Sequence, residues 1–332
     1  MHGSKSARVL VPGPLHEKAL QRIDQNFAMV RQEAWRGQLL PADIAASIRG
    51  ICAIIPINAD MMDAFPNLEI IAHFGVGYDS VDVGHAASRG IMVTHTPGVL
   101  TEDVADIAIG LLINAVRELP RAERWLRDGQ WASQGAYPLT KRTLQGRRAG
   151  IFGMGRVGLA VAQRLKAFGI SIAYHNRNRV EGVDYSFYPT LIGLAEAVDT
   201  LISVAPSTAA TARVIDAKVF DALGPNGIFI NIGRGKTVDQ NDLIKALQNG
   251  VIAAAGLDVF AEEPNLPQAL LDLPTATLLP HVGSATENSR QAMADLCVDN
   301  LLSWFAEGRA VTAVPETAHI KAAAARPSGE PH

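Results

Sequence analysis

The sequence predicts an α/β protein built from two parallel-sheet units, and three observations predict it. Short apolar runs alternate with stretches of helical periodicity along most of the 332 residues. That alternation builds parallel sheets covered by helices on both faces. Residues 150–180 hold a denser version of the pattern: an apolar run from Ala149 to Phe152, the turn Gly153-Met154-Gly155-Arg156-Val157-Gly158, a helical stretch to Phe168 and a second apolar run from Ile170 to Tyr174. Composition agrees, with 48% hydrophobic and 19% charged residues, enough apolar surface for cores in a chain whose length suits about two domains.

Strand, glycine turn, helix and strand are the context in which G-x-G-x-x-G carries meaning. Gly153 permits the tight turn, Gly155 lets the backbone approach a pyrophosphate, and Gly158 lets helix and strand pack closely. The helix N-terminus then offers unpaired N–H groups and a positive dipole end to that pyrophosphate. The second strand runs into His175-Asn176-Arg177-Asn178-Arg179, with no carboxylate. A carboxylate there would take a ribose 2′-hydroxyl and repel a 2′-phosphate, whereas arginine pairs with the phosphate. The expected cofactor is NADP(H), with NAD(H) possible, held by a Rossmann-like unit.

A net charge of −3 gives no case for nucleic-acid binding. No run approaches the ~18 apolar residues of a membrane helix, and the first residues lack the apolar core of a signal peptide. The expected location is the cytoplasm. Cys52 and Cys297 both sit in apolar surroundings and read as buried small hydrophobes, not as a disulfide or a metal site. No clustered ligand spacing suggests any metal.

Taken in order, residues 8–96 read as a small α/β unit. Its strands are expected at Arg8–Val11, Ala28–Val30, Ile51–Pro56, Leu68–Phe74 and Ile91–Thr94, with helices such as His16–Asn26 and Val81–Ser88 between them. Gly75-Val76-Gly77-Tyr78-Asp79 follows one strand, where ligands sit in such sheets; the amides of Val76 and Gly77 suit a small carboxylate, although on this feature alone a plain glycine turn is the better explanation. After Pro97-Gly98, Thr101 reads as an N-cap, with Glu102 and Asp103 in the first turn of a buried helix expected to link the two units. Residues 118–146 are more polar and irregular. Their Trp125, Trp131 and Tyr137 suggest either a subunit interface or packing against their own chain. Four more strands, Asp199–Val204, Ile228–Ile232, Ala253–Val259 and Ala276–Leu279, each lead into a loop on one expected sheet edge. Ala285–Phe305 reads as a long helix returning to the first unit, and the Ala/Pro/Gly-rich tail from about Glu316 reads as disordered.

Three charged or titratable residues follow consecutive strands: Arg234, Glu263 and His281. Arginine between two glycines suits a small ligand that must approach both backbone and guanidinium, since a guanidinium can grip a carboxylate and touch an adjacent carbonyl oxygen. His281 sits between a proline and a glycine-bounded turn, and imidazole titrates near neutrality. A glutamate within reach of it would favour its charged form and fix its tautomer. His73 and His95 also lie at strand ends and compete for that role, and a structural salt bridge would explain Arg234 and Glu263 as well.

The motifs FGVGYDSVD, TPGVLTEDVADIAIGLL, GIFGMGRVG, NIGRG, GLDVFAEEP and LPHVGSAT occur in this order across roughly residues 50–310. The chain resembles the D-isomer-specific 2-hydroxyacid dehydrogenase family, most closely its glyoxylate/hydroxypyruvate reductase branch. The resemblance implies two Rossmann-like/flavodoxin-like α/β domains with an active-site cleft between them. The substrate-binding domain would span 1–98 and 288–316 and the dinucleotide-binding domain 99–287, leaving 317–332 as the tail. It implies Arg234, Glu263 and His281 as catalytic residues, with Val76, Gly77 and Ser284 also touching substrate. Cofactor contacts would come from Thr101, Gly153, Gly155, Arg156, Val157, Gly158, Asn176, Arg177, Ser203, Pro206, Ile232, Asp258 and Gly283. It further implies a homodimer formed through the nucleotide-binding domains. Two positions depart from the family pattern. Val99-Leu100 stands where asparagine-alanine is common, and Gln134 stands where a second aromatic might follow Trp131, the residue expected near a partner's substrate.

The expected reaction is reversible reduction of a short 2-oxo acid, with NADPH as hydride donor. An alternative within the class is a bulkier 2-oxo acid, such as an aryl pyruvate or 2-ketogluconate. The apolar stretch Ile55-Pro56-Ile57-Asn58 argues against a phosphorylated substrate. Formate or phosphite oxidation on the same scaffold is weaker. A nucleotide-sensing interaction protein is the alternative of a different class, and the intact Arg234, Glu263 and His281 set argues against it.

Overall fold

The computed structural model describes residues 7–33, 35 and 40–322, which fall into two compact units, Met1–Leu100 with Thr286–His332, and Thr101–Ala285. The first unit opens with β1 (Arg8–Pro12), α1 (Glu17–Asn26), β2 (Ala28–Gln32), α2 (Ala42–Ser47), β3 (Ile48–Ala53), α3 (Ala59–Asp63), β4 (Ile70–His73), α4 (Val83–Ser88) and β5 (Met92–Thr94). All pairings are parallel and the strand order is β2-β1-β3-β4-β5, the flavodoxin-like arrangement. Strand β3 starts at Ile48 and stops at Ala53. The expected continuation through Pro56 fails because proline cannot donate to a ladder. Short caps start two of the helices: Asn58 accepts from the Met61 N–H and Asp82 from the His85 N–H.

The second unit holds α5 (Thr101–Arg117), α6 (Leu119–Arg127), α7 (Gln130–Gln134), β6 (Arg148–Phe152), α8 (Arg156–Ala167), β7 (Ser171–His175), β8 (Ser186–Phe187), α9 (Leu191–Ala197), β9 (Thr200–Ser203), α10 (Ala217–Leu223), β10 (Ile228–Asn231), α11 (Gln240–Gln248), β11 (Ala254–Leu257), α12 (Gln268–Leu271) and β12 (Ala276–Leu278). Its sheet is parallel throughout, in the order β12-β11-β10-β9-β6-β7-β8. The strand order reverses between β6 and β9, the Rossmann switch point. Alternate side chains feed two cores, as strand geometry requires. Ile151, Ile202 and Ile230 pack beneath α5 and α8, whereas Leu201, Phe229 and Ala255 pack beneath α9, α10 and α11. Helix α5 is buried along Ala108, Leu111, Leu112 and Ala115. It is tied to α8 by Arg164, which pairs with Glu102 at 2.8 Å and Asp106 at 2.6 Å.

Three further expectations need correction. Residues 118–146 are not irregular throughout, because α6 and α7 form within them. Glu118, at φ 54°, turns the chain between α5 and α6, while its carboxylate holds Arg121 and the Tyr137 hydroxyl. Thr101 is the first residue of α5 rather than its cap.

The third correction concerns the C-terminus. After β12 the chain re-enters the first unit through α13 (Glu287–Glu307), capped by Thr286 at its start and by Gly308, at φ 71°, at its end. Arg22 of α1 holds α13 through Asp295 and Asp299 at 2.8 and 2.7 Å. The Cys52 and Cys297 sulfurs lie 3.1 Å apart as buried thiols. Beyond α13, Ala313 bridges Thr94, and Thr317, expected to open a disordered tail, is fully buried. Its hydroxyl accepts from the Val93 N–H at 3.0 Å and donates to the Val93 carbonyl at 3.2 Å. Edge strand β5 thereby satisfies backbone groups that no neighbouring strand serves. The rest of the expected tail, 323–332, lies outside the described residues.

Thr317→Val keeps the shape and strands that N–H, so it should destabilise the protein by about 1–3 kcal/mol, read as a lower urea midpoint at unchanged m-value.

Candidate active site

Register places the candidate residues of the second unit together. Phe152 pairs with Ser203, Ser203 with Asn231, Asn231 with Leu257, and Leu257 with Leu278. Five strands therefore end level, and Gly153, Val204, Ile232, Asp258 and Leu279 leave from one edge, where ligands bind in open α/β sheets.

The glycine turn fits a dinucleotide. Gly153 has φ 106°, and a Cβ there would lie 2.8 Å from the Ala205 nitrogen. A Cβ on Gly158 would lie 2.3 Å from the Gly153 carbonyl oxygen. A Cβ on Gly155 would meet nothing within 4 Å, so the backbone is open there. Helix α8 begins at Arg156 and Val157 with no side-chain cap, which leaves its first N–H groups and positive dipole end for an anion. The Asn176 side chain accepts from the Met154 N–H at 2.6 Å and ties the end of β7 to the turn. Arg177 follows, exposed. Ser203 is buried at the end of β9, and the Pro206 carbonyl is held by Thr211 at 2.7 Å. Thr101 opens α5, and Ile232 is buried beyond β10.

Arg234 sits on a turn whose backbone is clamped by its own neighbours. The Asn231 side chain accepts from the Gly233 N–H and donates to the Arg234 carbonyl, both at 3.1 Å. The Thr237 hydroxyl donates to that same carbonyl at 2.7 Å. Gly235 has no alternative, because a Cβ there would lie 1.8 Å from the Phe260 carbonyl carbon. That close approach brings the Arg234 turn against the segment carrying Glu263. One Glu263 oxygen accepts from the Phe260 N–H at 2.9 Å, and the other meets His281 Nδ1 at 2.7 Å. A carboxylate fixed at both oxygens holds the imidazole in one orientation.

Asp258 organises the histidine loop. It is 2% exposed, and its carboxylate accepts from the Val282 N–H at 2.7 Å and the Gly283 N–H at 2.8 Å. His281 itself adopts φ 53°, a left-handed conformation that costs a non-glycine residue about 1–2 kcal/mol. The Asp258 bonds and the His281 N–H to the Leu279 carbonyl, at 3.0 Å, hold it there. Ser284 follows, half-buried. Burial pushes the Asp258 carboxyl above its ordinary value, against the pull of those two amides and of His281.

Glu263 goes the other way. Burial pushes it up, but hydrogen bonds from His281 and the Phe260 amide, with the charges of His281 and Arg234, together hold it below the ordinary carboxylate value.

The two competing histidines lie in the first unit. His73 is 4% exposed, and its Nε2 meets the Gly77 carbonyl at 3.0 Å; His95 Nδ1 meets the Val76 carbonyl at 2.8 Å. Sequence reasoning missed these roles and also missed Asn231, Thr237 and the loop-holding use of Asp258. The available signals were an asparagine beside a glycine-bounded turn and an aspartate at a buried strand end.

A carboxylate with a depressed folded-state pKa contributes stability that is present above its unfolded value and lost as pH falls through the folded one. The stability difference between wild type and Glu263→Gln, from urea titrations between pH 6 and 3, should therefore be largest above ~4.3 and shrink below it. A constant difference would show that the carboxylate's charge is not what the fold uses.

Known proteins similar to this chain fall in one family. A family model for the NAD-binding domain of D-isomer specific 2-hydroxyacid dehydrogenases matches residues 109–283. Glyoxylate/hydroxypyruvate reductase A of Arabidopsis thaliana is 45% identical over 93% of this chain and 99% of its own. Hydroxyphenylpyruvate reductase of Plectranthus scutellarioides is 42% identical over 90% of this chain and 95% of its own. The crystal structure of an NADPH-dependent glyoxylate/hydroxypyruvate reductase from Sinorhizobium meliloti, in complex with NADP and malonate, superposes with a TM-score of 0.93. It is 54% identical over 96% of this chain and 99% of its own. The chain belongs to the D-isomer specific 2-hydroxyacid dehydrogenase family and is an NAD(P)-dependent oxidoreductase.

Proposed function

We propose that this enzyme is an NADPH-preferring reductase of short 2-oxo acids, with glyoxylate and hydroxypyruvate as its substrates. The observation that carries the reading is the 2.7 Å contact between His281 Nδ1 and a Glu263 oxygen, on the same strand edge as the Arg234 turn. With Nδ1 directed at Glu263, His281 holds at Nε2 the proton to be given to the substrate carbonyl oxygen. Glu263 keeps the ring oriented and balances its positive charge. Arg234 grips the carboxylate and stabilises negative charge developing on the carbonyl oxygen. In the first unit, taken by itself, the amides of Val76 and Gly77 suit a carboxylate, and Ser284 stands three residues after the acid/base residue. A nicotinamide cofactor would supply the hydride. It would be held by Gly153, Gly155, Arg156, Val157 and Gly158 at the pyrophosphate, by Asn176 and Arg177 at the ribose, and by Thr101, Ser203, Pro206, Ile232, Asp258 and Gly283 toward the nicotinamide. The basic, carboxylate-free end of β7 supports NADPH over NADH, as does the NADP named in the Sinorhizobium meliloti complex.

Hydroxyphenylpyruvate is the second substrate to assay, because the Plectranthus relative is named for it at 42% identity. We also propose a cytoplasmic homodimer. Among the described residues no helix is long and apolar enough to cross a membrane. The α6–α7 segment and its surroundings expose Leu126 at 55%, Trp131 at 61% and Leu139 at 96%, apolar side chains that a second copy would cover. Leu126→Glu combined with Trp131→Ser should shift the sedimenting species from dimer to monomer; a wild type that already sediments as a monomer would refute the dimer.

The activity assay follows loss of reduced-nicotinamide absorbance with glyoxylate, hydroxypyruvate and hydroxyphenylpyruvate, each with NADPH and NADH. Turnover of the first two with NADPH is expected. His281→Ala should lower kcat by about 10²–10⁴-fold with NADPH affinity retained. Arg234→Ala should weaken 2-oxo acid capture by about 10- to 100-fold. Preference for NADH, or wild-type substrate affinity in Arg234→Ala, would overturn the corresponding part.

A further inference from the structure

The turn Gly75–Tyr78 of the first unit is held by more side-chain contacts than a glycine turn needs. The carbonyls of three successive residues are each engaged. Gly75 O accepts from the Thr96 N–H at 2.8 Å, Val76 O meets His95 Nδ1 at 2.8 Å, and Gly77 O meets His73 Nε2 at 3.0 Å. A carbonyl oxygen can only accept, so both imidazoles are N–H donors in these contacts.

A trans peptide is planar, with its N–H directed opposite to its C=O. Fixing those three carbonyls therefore fixes the N–H groups of Val76, Gly77 and Tyr78. Among the described residues, none of the three donates a hydrogen bond within the protein. Backbone donors left without a partner beside a strand end are a receptor for an anion.

The histidines are built into their places. Strand pairing sets Ala72 beside Thr94, so the residues that follow, His73 and His95, leave adjacent strand ends together. A Cβ on Gly75 would lie 2.9 Å from His73 Nε2, so only glycine leaves the ring in hydrogen-bonding position. The His95 ring is packed edge-on against Tyr78, with centroids 5.3 Å apart, and the Tyr78 hydroxyl is anchored on Glu316 at 3.2 Å. A histidine serving only to fill space needs neither partner.

We propose that His73 and His95 are positioning residues that hold the Val76, Gly77 and Tyr78 amides as a preformed receptor for the substrate carboxylate. His95 sets the Gly77 amide and His73 the Tyr78 amide, while the Thr96 backbone sets that of Val76. The inference rests on the reading of this enzyme as a 2-oxo acid reductase, and it adds two side chains that never touch the substrate. A preformed receptor binds without first ordering its own backbone. Loss of a contact made equally in ground and transition states raises KM and leaves kcat in place.

Asparagine places Nδ2 close to where histidine has Nδ1, and glutamine places Nε2 close to where histidine has Nε2. The test therefore compares His95→Leu with His95→Asn, and His73→Leu with His73→Gln, in the full-length enzyme with NADPH bound. The readouts are KM and kcat for glyoxylate, the calorimetric Kd of malonate as a non-reacting carboxylate, and the Kd of NADPH. The leucine variants should raise KM and the malonate Kd in parallel, by about tenfold for one lost hydrogen bond, with kcat and NADPH affinity within about twofold. His95→Asn and His73→Gln should recover most of the loss. Unchanged KM and malonate Kd in both leucine variants would overturn the proposal, as would amide variants no better than leucine. If a leucine variant does not fold, its amide partner decides alone: wild-type malonate affinity supports the brace, and a tenfold loss overturns it. If wild type binds malonate but reduces no 2-oxo acid, the substrate reading falls and malonate binding still decides the brace. If wild type binds no malonate, the receptor itself is refuted.

Discussion

Backbone polar groups at the ends of parallel strands must be satisfied once the ladder stops, and the candidate site is built from the answers to that demand. Five strands of the second sheet end level, so the amides and carbonyls of several loops crowd one edge. Asn231 serves the Arg234 turn, Asp258 serves the His281 turn, and Glu263 serves the Phe260 amide with one oxygen while turning the other to His281. The groups proposed to act on substrate are thus held by polar side chains whose first task is to complete the backbone's hydrogen bonding. The arrangement is rigid for the same reason, since moving His281 would strand two amides on a buried carboxylate.

Two carboxylates on that edge differ in electrostatic outcome. Asp258 is enclosed, and burial dominates, raising its pKa despite two amide donors. Glu263 is less enclosed and sees a histidine, an amide and the Arg234 charge, which together outweigh burial and lower it. The partners decide the sign as much as the depth does. Glu263 therefore stays ionised at neutral pH, the state in which it can face an imidazolium.

Close approach explains which glycines are compulsory. Gly235 lies against the Phe260 backbone and Gly75 against the His73 ring, and Gly153 combines a left-handed φ with contact to Ala205. Gly155 differs, since nothing among the described residues occupies the space its Cβ would take; its bareness leaves room for a ligand. The same distinction separates the histidines. His73 and His95 are occupied by carbonyls of a turn, and His281 by a carboxylate, so their chemistry differs although each stands near a strand end.

What the sequence by itself determined is whatever short-range pattern encodes. Alternating apolar and helical periods specified two parallel sheets, the spacing of Gly153, Gly155 and Gly158 specified a tight turn between strand and helix, and the basic, carboxylate-free end of β7 suited an extra phosphate. Arg234, Glu263 and His281 stood out because each follows a strand. Only the tertiary structure decided what depends on partners distant in sequence. Asp258 reaches amides 24 and 25 residues away, and Thr317 completes an edge strand 224 residues before it. Helix α6 within 118–146 carries Leu119, Ala122, Trp125 and Leu126 at helical spacing, but none of them is buried. The partners of His73, His95 and His281 likewise waited on tertiary neighbours that no local pattern names.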